Sequence, residues 1–342
     1  MRRRWFLSSV LAAVVVVGGL VTARAALLIN GAGATFPYPI YSKWFDEFRK
    51  KTGIEINYQS IGSGGGIRQV LEGTVDFGAT DGPMTDEQLG QAKTPILHLP
   101  TVLGAVVATY NVPGVEKLKL TPEALAGIFL GKVQMWNDPP IAKENPGVKL
   151  PAAAIVPVHR SDGSGTSFVF TDYLSKVSPE WEKTVGHGTS VNWPVGIGGK
   201  GNEGVTGLVK QTPNSLGYVE LVYALQNKLP YAEVRNRAGR YITPTLESVT
   251  AAASSAAAKM PEDFRVSITD PASADAYPIS SFTWLLIPTR IPDKDKGAAI
   301  KSFLSWMLTD GQSMAAPLNY APLPPQVVEM GKKALDRITV GG

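Results

Sequence analysis

The sequence predicts an α/β protein with two lobes, each built on a central mixed sheet flanked by helices. Three strand candidates near the N-terminus each lead into a helical segment, which is typical of a parallel sheet with its loops on one edge. Two long apolar runs, residues 97–111 and 277–287, are each long enough to leave one lobe and enter the other. We therefore expect one lobe over residues 26–105 and 280–342, another over residues 106–279, and a hinge at the two crossings.

The first lobe begins with strand–turn–helix units. Apolar residues at positions 40, 41, 44, 45 and 48 recur at helical spacing and predict a helix that stops at Gly53. Thr85 has the position and the hydroxyl of an N-cap for a helix that starts at Asp86. The strand candidates here are residues 27–30, 54–58 and 75–80, with Gly-rich turns at residues 31–37 and 61–66.

The rest of the chain continues the alternation of strands and helices. Thr121 and Pro122 suit the N-cap and the first position of a helix that runs to about residue 130. The four prolines of residues 137–151 predict a surface loop. Further strands are predicted at residues 155–158, 216–221 and 264–269, and further helices at residues 167–174, 204–210, 222–227, 246–259, 298–308 and 327–338.

Residues 1–25 predict a cleavable signal peptide. A basic segment at residues 2–4 precedes an apolar stretch at residues 5–21 and the small-residue cleavage pattern Ala-Arg-Ala at residues 23–25. An uncleaved membrane anchor is the alternative, and the short apolar stretch and the small residues favour cleavage. The absence of cysteine excludes a lipid-modified N-terminal cysteine, disulfides and Cys-type zinc sites. We expect export to the periplasm of a double-membraned bacterium.

The charge balance argues against a nucleic-acid partner. The chain has 33 basic and 29 acidic residues, which gives a formal net charge of +4. Residues 1–25 contain four arginines and no acidic residue, so the remaining chain carries 29 residues of each sign. A chain without net charge has no basic field to attract polyanions. Any anion must therefore be bound by local geometry.

The clearest functional candidate is the segment 160–166 (RSDGSGT), which connects a strand candidate to a helix. Such a junction directs several backbone N–H groups, and the positive end of the helix dipole, to one point. Arg160 adds a permanent cation whose planar fork matches two oxygens of a tetrahedral anion. We interpret this segment as one half of an anion clamp. The upstream junctions that contain Thr35, Ser63 and Asp81 would form the other half.

Each of these features also has an ordinary structural explanation. Residues 62–66 alone are typical of a flexible turn, and Thr35 alone is typical of an N-cap. Asp81 alone suits a helix cap, and Arg160 with Asp162 suits a surface ion pair. Their occurrence together, each at a strand-to-helix junction, favours a ligand site.

Other kinds of site are disfavoured. A Gly-Gly-Lys-Gly run resembles a phosphate-binding P-loop, but Pro194 and Gly201 stand where the motif requires Gly and Ser or Thr. The three histidines are not spaced as metal ligands, so we expect no metal site. A secreted hydrolase that uses Ser164 with His159 as its base is an alternative, yet Asp162 breaks the G-x-S-x-G pattern. We expect neither catalytic residues nor a cofactor.

The sequence contains six segments typical of one family: residues 31–37, 62–66, 75–81, 160–166, 214–220 and 318–324. In this order they resemble the phosphate-binding proteins of bacterial phosphate ABC transporters, over essentially the whole chain after residue 25. The resemblance implies a two-lobed periplasmic binding protein that closes on one dehydrated phosphate. It further implies delivery of that phosphate to the subunits of a membrane ABC permease, without turnover. We expect the protein to act as a monomer.

The resemblance also implies a set of ligand groups. Asp162 would orient Arg160 as a supporting residue. The family often has a second serine after Ser63, whereas this chain has Gly64. We expect little change from that departure, because the backbone N–H remains. The implied phosphate ligands are Thr35, the backbone of Phe36, Ser63, Asp81, Arg160, Ser164, Gly165 and Thr166.

Asp81 explains how such a site would choose its anion. A carboxylate only accepts hydrogen bonds, so it suits an anion that still carries a proton. Hydrogen phosphate can donate that proton, whereas sulfate is fully ionised near neutral pH. Leaving a buried charged group unpaired costs more than the roughly 1–3 kcal/mol of an unpaired neutral group. We therefore expect such a site to reject the wrong anion by ~10⁴-fold. The alternative is a binder of another oxyanion, such as sulfate, molybdate or tungstate, for which Asp81 is unsuited.

Overall fold

The computed structural model describes residues 27–341, and the signal peptide expected at residues 1–25 lies outside this described part. None of the helices within residues 27–341 has the length and apolar character needed to cross a lipid bilayer.

Three short 3₁₀ helices, Asp310–Met314, Ala316–Leu318 and Leu335–Arg337, lie near the C-terminus. The strands and α-helices in chain order are β1 (Leu28–Gly33), α1 (Tyr38–Thr52), β2 (Glu55–Ser60), α2 (Ser63–Glu72), β3 (Phe77–Thr80), α3 (Asp86–Gly90), β4 (Ile96–Asn111), β5 (Lys119–Leu120), α4 (Pro122–Phe129), α5 (Pro139–Ala142), β6 (Val156–Arg160), α6 (Gly165–Val177), α7 (Pro179–Thr184), β7 (Ile197–Gly199), α8 (Gly201–Gln211), β8 (Ser215–Glu220), α9 (Leu221–Gln226), β9 (Glu233–Arg235), β10 (Tyr241–Ile242), α10 (Leu246–Ala257), β11 (Ser280–Pro288), β12 (Arg290–Ile291), α11 (Lys294–Met307), α12 (Pro325–Ala334) and β13 (Thr339–Val340).

Within the described residues, one eight-stranded sheet has the order β2-β1-β3-β11-β4-β8-β6-β7, and its β2-β1-β3-β11-β4 part belongs to the first lobe. Strand β1 is parallel to both β2 and β3, whereas β11 runs antiparallel to its neighbours β3 and β4. The mixed sheet predicted for this lobe is therefore confirmed. Because the parallel strands end on the same edge, the loops that follow them lie near one another.

Strand β4 links the two lobes. It pairs with β11 as far as Ala105 and with β8 from Val106 onwards. Strands β8, β6 and β7 are mutually parallel and form the sheet of the second lobe. The chain returns next to the same point, where the Val106 N–H donates to the Ile279 carbonyl just before β11 begins. The two predicted crossings thus lie side by side.

The helices pack apolar faces against the sheets, as their spacing predicts. In α1, the residues Ile40, Tyr41, Trp44, Phe45 and Phe48 are all buried, and the helix ends at Gly53 in the left-handed conformation. Phe303 of α11 packs against the rings of Phe45 and Phe48 on this buried face of α1. The N-caps predicted at the starts of α3 and α4 are also present, with side-chain bonds to the backbone.

The strand predicted over residues 264–269 is wrong. No strand of the described chain includes these residues. Phe264 has φ of 60°, a left-handed conformation that an extended strand does not allow, and its carbonyl accepts a hydrogen bond from the Trp284 indole. The apolar residues of this irregular segment pack into the core. The apolar pattern therefore predicted their burial correctly and their backbone conformation wrongly.

Candidate ligand-binding site

Two strand ends of the first lobe bring Ser63 and Asp81 together. Asp81 directly follows β3, and Ser63 is the first residue of α2. The Asp81 N–H donates to Ser63 Oγ at 3.2 Å. Gly62, before Ser63, has a positive φ of 91°, which glycine adopts readily because it lacks a Cβ. The local turn therefore aims a hydroxyl, a carboxyl and a helix N-terminus into the same space between the lobes.

The Asp81 carboxyl is buried and only half satisfied. Its Oδ1 accepts from Thr283 Oγ1 at 2.9 Å, whereas its Oδ2 has no hydrogen-bond partner within the described residues. Burial raises the pKa of the Asp81 carboxyl to about 7. The Thr283 bond, the Arg160 charge and the Ser63 bond act in the opposite direction. A buried carboxyl with one unpaired oxygen requires a ligand atom that shares a proton with that oxygen, Oδ2.

Arg160 lies opposite, at the end of β6, and is held by Asp162. The guanidinium donates from Nε to Oδ1 at 2.7 Å and from Nη2 to Oδ2 at 2.6 Å. The Arg160 side chain is only 1% exposed, and its Nη1 has no hydrogen-bond partner within the described residues. Burial alone would raise the pKa of Asp162, but the hydrogen bond and charge of Arg160 lower it overall. Asp162 thus stays ionised and holds one edge of the guanidinium, which leaves the NH₂ group of Nη1 available to a ligand.

The N-terminus of α6 completes this side. Ser164 is the N-cap, and its Oγ accepts from the Ser167 N–H at 3.0 Å. Gly165 approaches the first lobe so closely that an added Cβ would lie 2.4 Å from Ser63 Oγ and 2.6 Å from Asp81 Oδ2. The two halves of the predicted clamp are therefore in van der Waals contact, and the lobes are closed on one another.

Thr35 and Thr166 meet at one side chain of the second lobe. Thr35 lies between β1 and α1, and its Oγ1 accepts from Asn202 Nδ2 at 2.7 Å and from the Asn202 N–H at 3.2 Å. Thr166 Oγ1 accepts from the same Nδ2 at 3.1 Å. Two hydroxyls from different lobes are thus placed by a single amide.

Buried tyrosines hold the loop after β1. Tyr223 donates to the Thr35 carbonyl at 2.6 Å, and Tyr320 donates to the Phe36 carbonyl at 2.7 Å. Phe36 itself is fully buried, so its contribution to a ligand is limited to its backbone. The loop is therefore anchored from both lobes.

The structure brings the eight candidate residues to a single region between the lobes, although their roles as ligands remain predictions. Four residues that support the candidate ligands were not predicted from the sequence: Asn202, Thr283, Tyr223 and Tyr320. One signal was available, because Asn202 follows a Gly-rich strand end and opens α8, as at the other junctions. Thr283 and the tyrosines carry no such local signal.

The expectation for Gly64 needs correction. Its N–H is not free for a ligand, because it donates to the Gly163 carbonyl of the other lobe at 2.8 Å. An added Cβ at Gly64 would lie 3.0 Å from Gly163 Cα, tighter than ordinary packing. Glycine at this position therefore allows the close approach of the two lobes and does not supply an extra donor.

Comparisons with known proteins show the family to which the chain belongs. Residues 20–311 match the family model described as a PBP superfamily domain. The chain is 48% identical to the phosphate-binding protein PstS of Xylella fastidiosa over 303 residues, covering 88% of this chain and 83% of the relative. It is 46% identical to PstS of Pasteurella multocida, covering 89% and 88%. The solved structure of a high-affinity periplasmic phosphate-binding protein with bound phosphate superposes with a TM-score of 0.73, covering 90% of this chain and 93% of that one. Its 22% identity establishes a shared fold.

Proposed function

Because the chain belongs to the PstS phosphate-binding proteins of the PBP superfamily, we propose that it binds inorganic phosphate as the solute-binding protein of an ABC transporter. The observation that carries the proposal is that two oppositely charged groups of the site, Asp81 and Arg160, each keep a buried atom, Oδ2 and Nη1, without a hydrogen-bond partner in the described part of the chain. A protonated oxyanion satisfies both, since it donates its proton to the carboxylate and accepts from the guanidinium.

The remaining groups of the clamp supply donors without much charge. Arg160 is already paired with Asp162, so the site as a whole holds little net positive charge. Hydroxyls and N–H groups at helix starts stabilise the anion by oriented dipoles. The proposed ligands are Thr35, Phe36 through its backbone, Ser63, Asp81, Arg160, Ser164, Gly165 and Thr166, with Asp162 as the support of Arg160.

Binding would be coupled to closure of two lobes. We assign residues 27–105 and 280–341 to the first lobe and residues 106–279 to the second, since β4 changes its partner between Ala105 and Val106. Both crossings lie at this point, which suits a two-segment hinge. Cross-lobe contacts such as Gly64 N–H to the Gly163 carbonyl form only in the closed arrangement.

A role as carrier fits the chemistry better than catalysis. His159, the base of the alternative hydrolase, stacks on Trp193 with ring centroids 5.0 Å apart and bonds through Nδ1 to the Arg160 carbonyl. Ser164 Oγ is engaged as the cap of α6. Within the described residues, no hydrogen bond joins the candidate base His159 to the candidate nucleophile Ser164. We further propose that residues 1–25 direct export to the periplasm and that the protein acts as a monomer that delivers phosphate to its permease.

Titration calorimetry in phosphate-free buffer tests the proposed function. We expect one phosphate to bind per chain and sulfate to bind at least ~10²-fold more weakly at pH 9, because sulfate cannot donate to an ionised Asp81 and only about 1% of the chains carry a protonated Asp81 at that pH. Equal affinity for the two anions, or no heat with phosphate, would contradict the proposal. Sustained turnover of a chromogenic phosphoester would instead favour the hydrolase.

The pH dependence of sulfate binding should report the state of Asp81. Sulfate brings no proton, so it needs a protonated Asp81, and burial raises the pKa of that group to about 7 in the closed arrangement. As the pH rises above 7, the protonated fraction falls tenfold per unit, and we expect sulfate affinity to fall by about the same factor. Calorimetry with sulfate at pH 7, 8 and 9 measures this slope. A sulfate affinity that does not change over this range would argue against the role of Asp81.

A further inference from the structure

Asn202 is a fully buried side chain that belongs to none of the proposed ligand groups. It is the second residue of α8, where the chain enters from the edge strand β7. Its side chain makes three hydrogen bonds: Nδ2 donates to Thr35 Oγ1 at 2.7 Å and to Thr166 Oγ1 at 3.1 Å, and Oδ1 accepts from the Glu220 N–H at 2.9 Å. All hydrogen-bonding groups of this amide are directed at fixed partners.

The partners determine which way the amide faces. A backbone N–H can only donate, so the atom that faces Glu220 must be the amide oxygen. The NH₂ group is therefore turned towards the two threonines. It can only donate, so both hydroxyl oxygens must accept from it.

This arrangement fixes the Thr35 hydroxyl as a donor and biases the Thr166 hydroxyl towards donation. Thr35 Oγ1 accepts from both Nδ2 and the backbone N–H of Asn202, so its two lone pairs are occupied. Its hydrogen must then be donated to some other group. Thr166 Oγ1 also accepts from Nδ2, and its hydrogen is directed away from the amide in the same way.

We propose that Asn202 is a positioning residue that orients the Thr35 and Thr166 hydroxyls as donors toward the bound anion. The inference rests on the proposed function and adds a specificity element to it. A hydroxyl in isolation can rotate to donate or to accept, whereas Thr35 is restricted to donation and Thr166 has one of its two lone pairs occupied. The site thus gains two oriented donors, one from each lobe, without gaining charge, and it disfavours ligands that present a hydrogen to Thr35.

A double-mutant cycle between Asn202→Ala and Thr35→Val tests the proposal by phosphate calorimetry. We expect each single variant to lose about tenfold in phosphate affinity, the usual scale for one lost hydrogen bond to a charged group. Because both changes remove the same oriented donor, the double variant should lose far less than the product of the two losses. Multiplicative losses would overturn the inference, since Asn202 would then act independently of the hydroxyl.

A second variant separates orientation from packing. Asn202→Asp keeps the size but replaces the donor by a carboxylate that accepts from both hydroxyls, so they would turn away from the anion. We expect its affinity loss to exceed that of Asn202→Ala by about tenfold or more, and an equal or smaller loss would overturn the inference. If Asn202→Ala does not fold by circular dichroism, Asn202→Asp and its combination with Thr35→Val replace it in the cycle, with the same criterion.

Asn145 offers a matched control and separates this inference from the function. It is a buried asparagine that bonds to the backbone of Lys119 and Ile141, away from the site. Asn145→Asp should lower the melting temperature and leave phosphate affinity unchanged. If the wild-type protein binds phosphate and the cycle is multiplicative, only the role of Asn202 fails. If the wild-type protein does not bind phosphate, the proposed function fails, and the inference with it.

Discussion

Asp81→Asn should admit sulfate to the site. We expect the variant to bind sulfate ~10²-fold more tightly than the wild-type protein does at pH 9, where Asp81 with its pKa of about 7 is almost wholly ionised, and to bind phosphate within about tenfold of the wild type. Thr283 donates to Oδ1, which keeps the oxygen of the new amide in that position and places its NH₂ at the position of Oδ2. The amide would then donate to an oxygen without a proton, where the carboxylate repels it.

Calorimetry with both anions at one pH measures this change in selectivity. The sulfate affinity of the variant should also lose the pH dependence that Asp81 causes, because an amide does not titrate in this range. Asp76→Asn is a matched control, since Asp76 lies just before β3 but pairs with Lys296 and the Asn30 N–H. That change should affect stability without altering selectivity. If Asp81→Asn still discriminates against sulfate as strongly as the wild type does, Asp81 does not recognise the proton of the bound anion.

Gly165→Ala should weaken phosphate binding by about 10- to 100-fold. The added methyl group would lie 2.4 Å from Ser63 Oγ and 2.6 Å from Asp81 Oδ2, and overpacking of this kind costs roughly 1–3 kcal/mol. Gly165 is the first residue of α6 and has no left-handed conformation, so alanine suits its backbone. Each lobe should therefore fold normally, and only their closure on the ligand should suffer.

Two measurements together distinguish blocked closure from misfolding. The melting temperature without phosphate should stay the same or rise slightly, while the calorimetric affinity falls. Gly207→Ala is the matched control, because Gly207 lies within α8 and an added Cβ meets nothing within 4 Å. That variant should bind phosphate as the wild type does. Wild-type affinity in Gly165→Ala would show that the closed contact between the lobes is not required.

Local patterns accounted for the architecture and for the position of the site. The helix of residues 40–48, the caps at Thr85 and Thr121, and the parallel strands all follow from the spacing of apolar and capping residues within a few positions. The strand predicted at residues 264–269 failed because the segment lies between two left-handed residues, Phe264 and Asp270, and pairs with no strand of the described chain. The sequence contains no short-range signal for that conformation.

The groups at the strand-to-helix junctions can be identified from local sequence, because a strand, a turn and a helix start are adjacent in the chain. What those groups can do depends on contacts between distant parts of the fold. Asn202 reaches Thr35 across 167 positions and Thr283 reaches Asp81 across 202, and these contacts set the direction of a hydroxyl and the free oxygen of a carboxylate. The raised pKa of Asp81 has the same origin, since burial depends on lobes that meet only after the whole chain has folded.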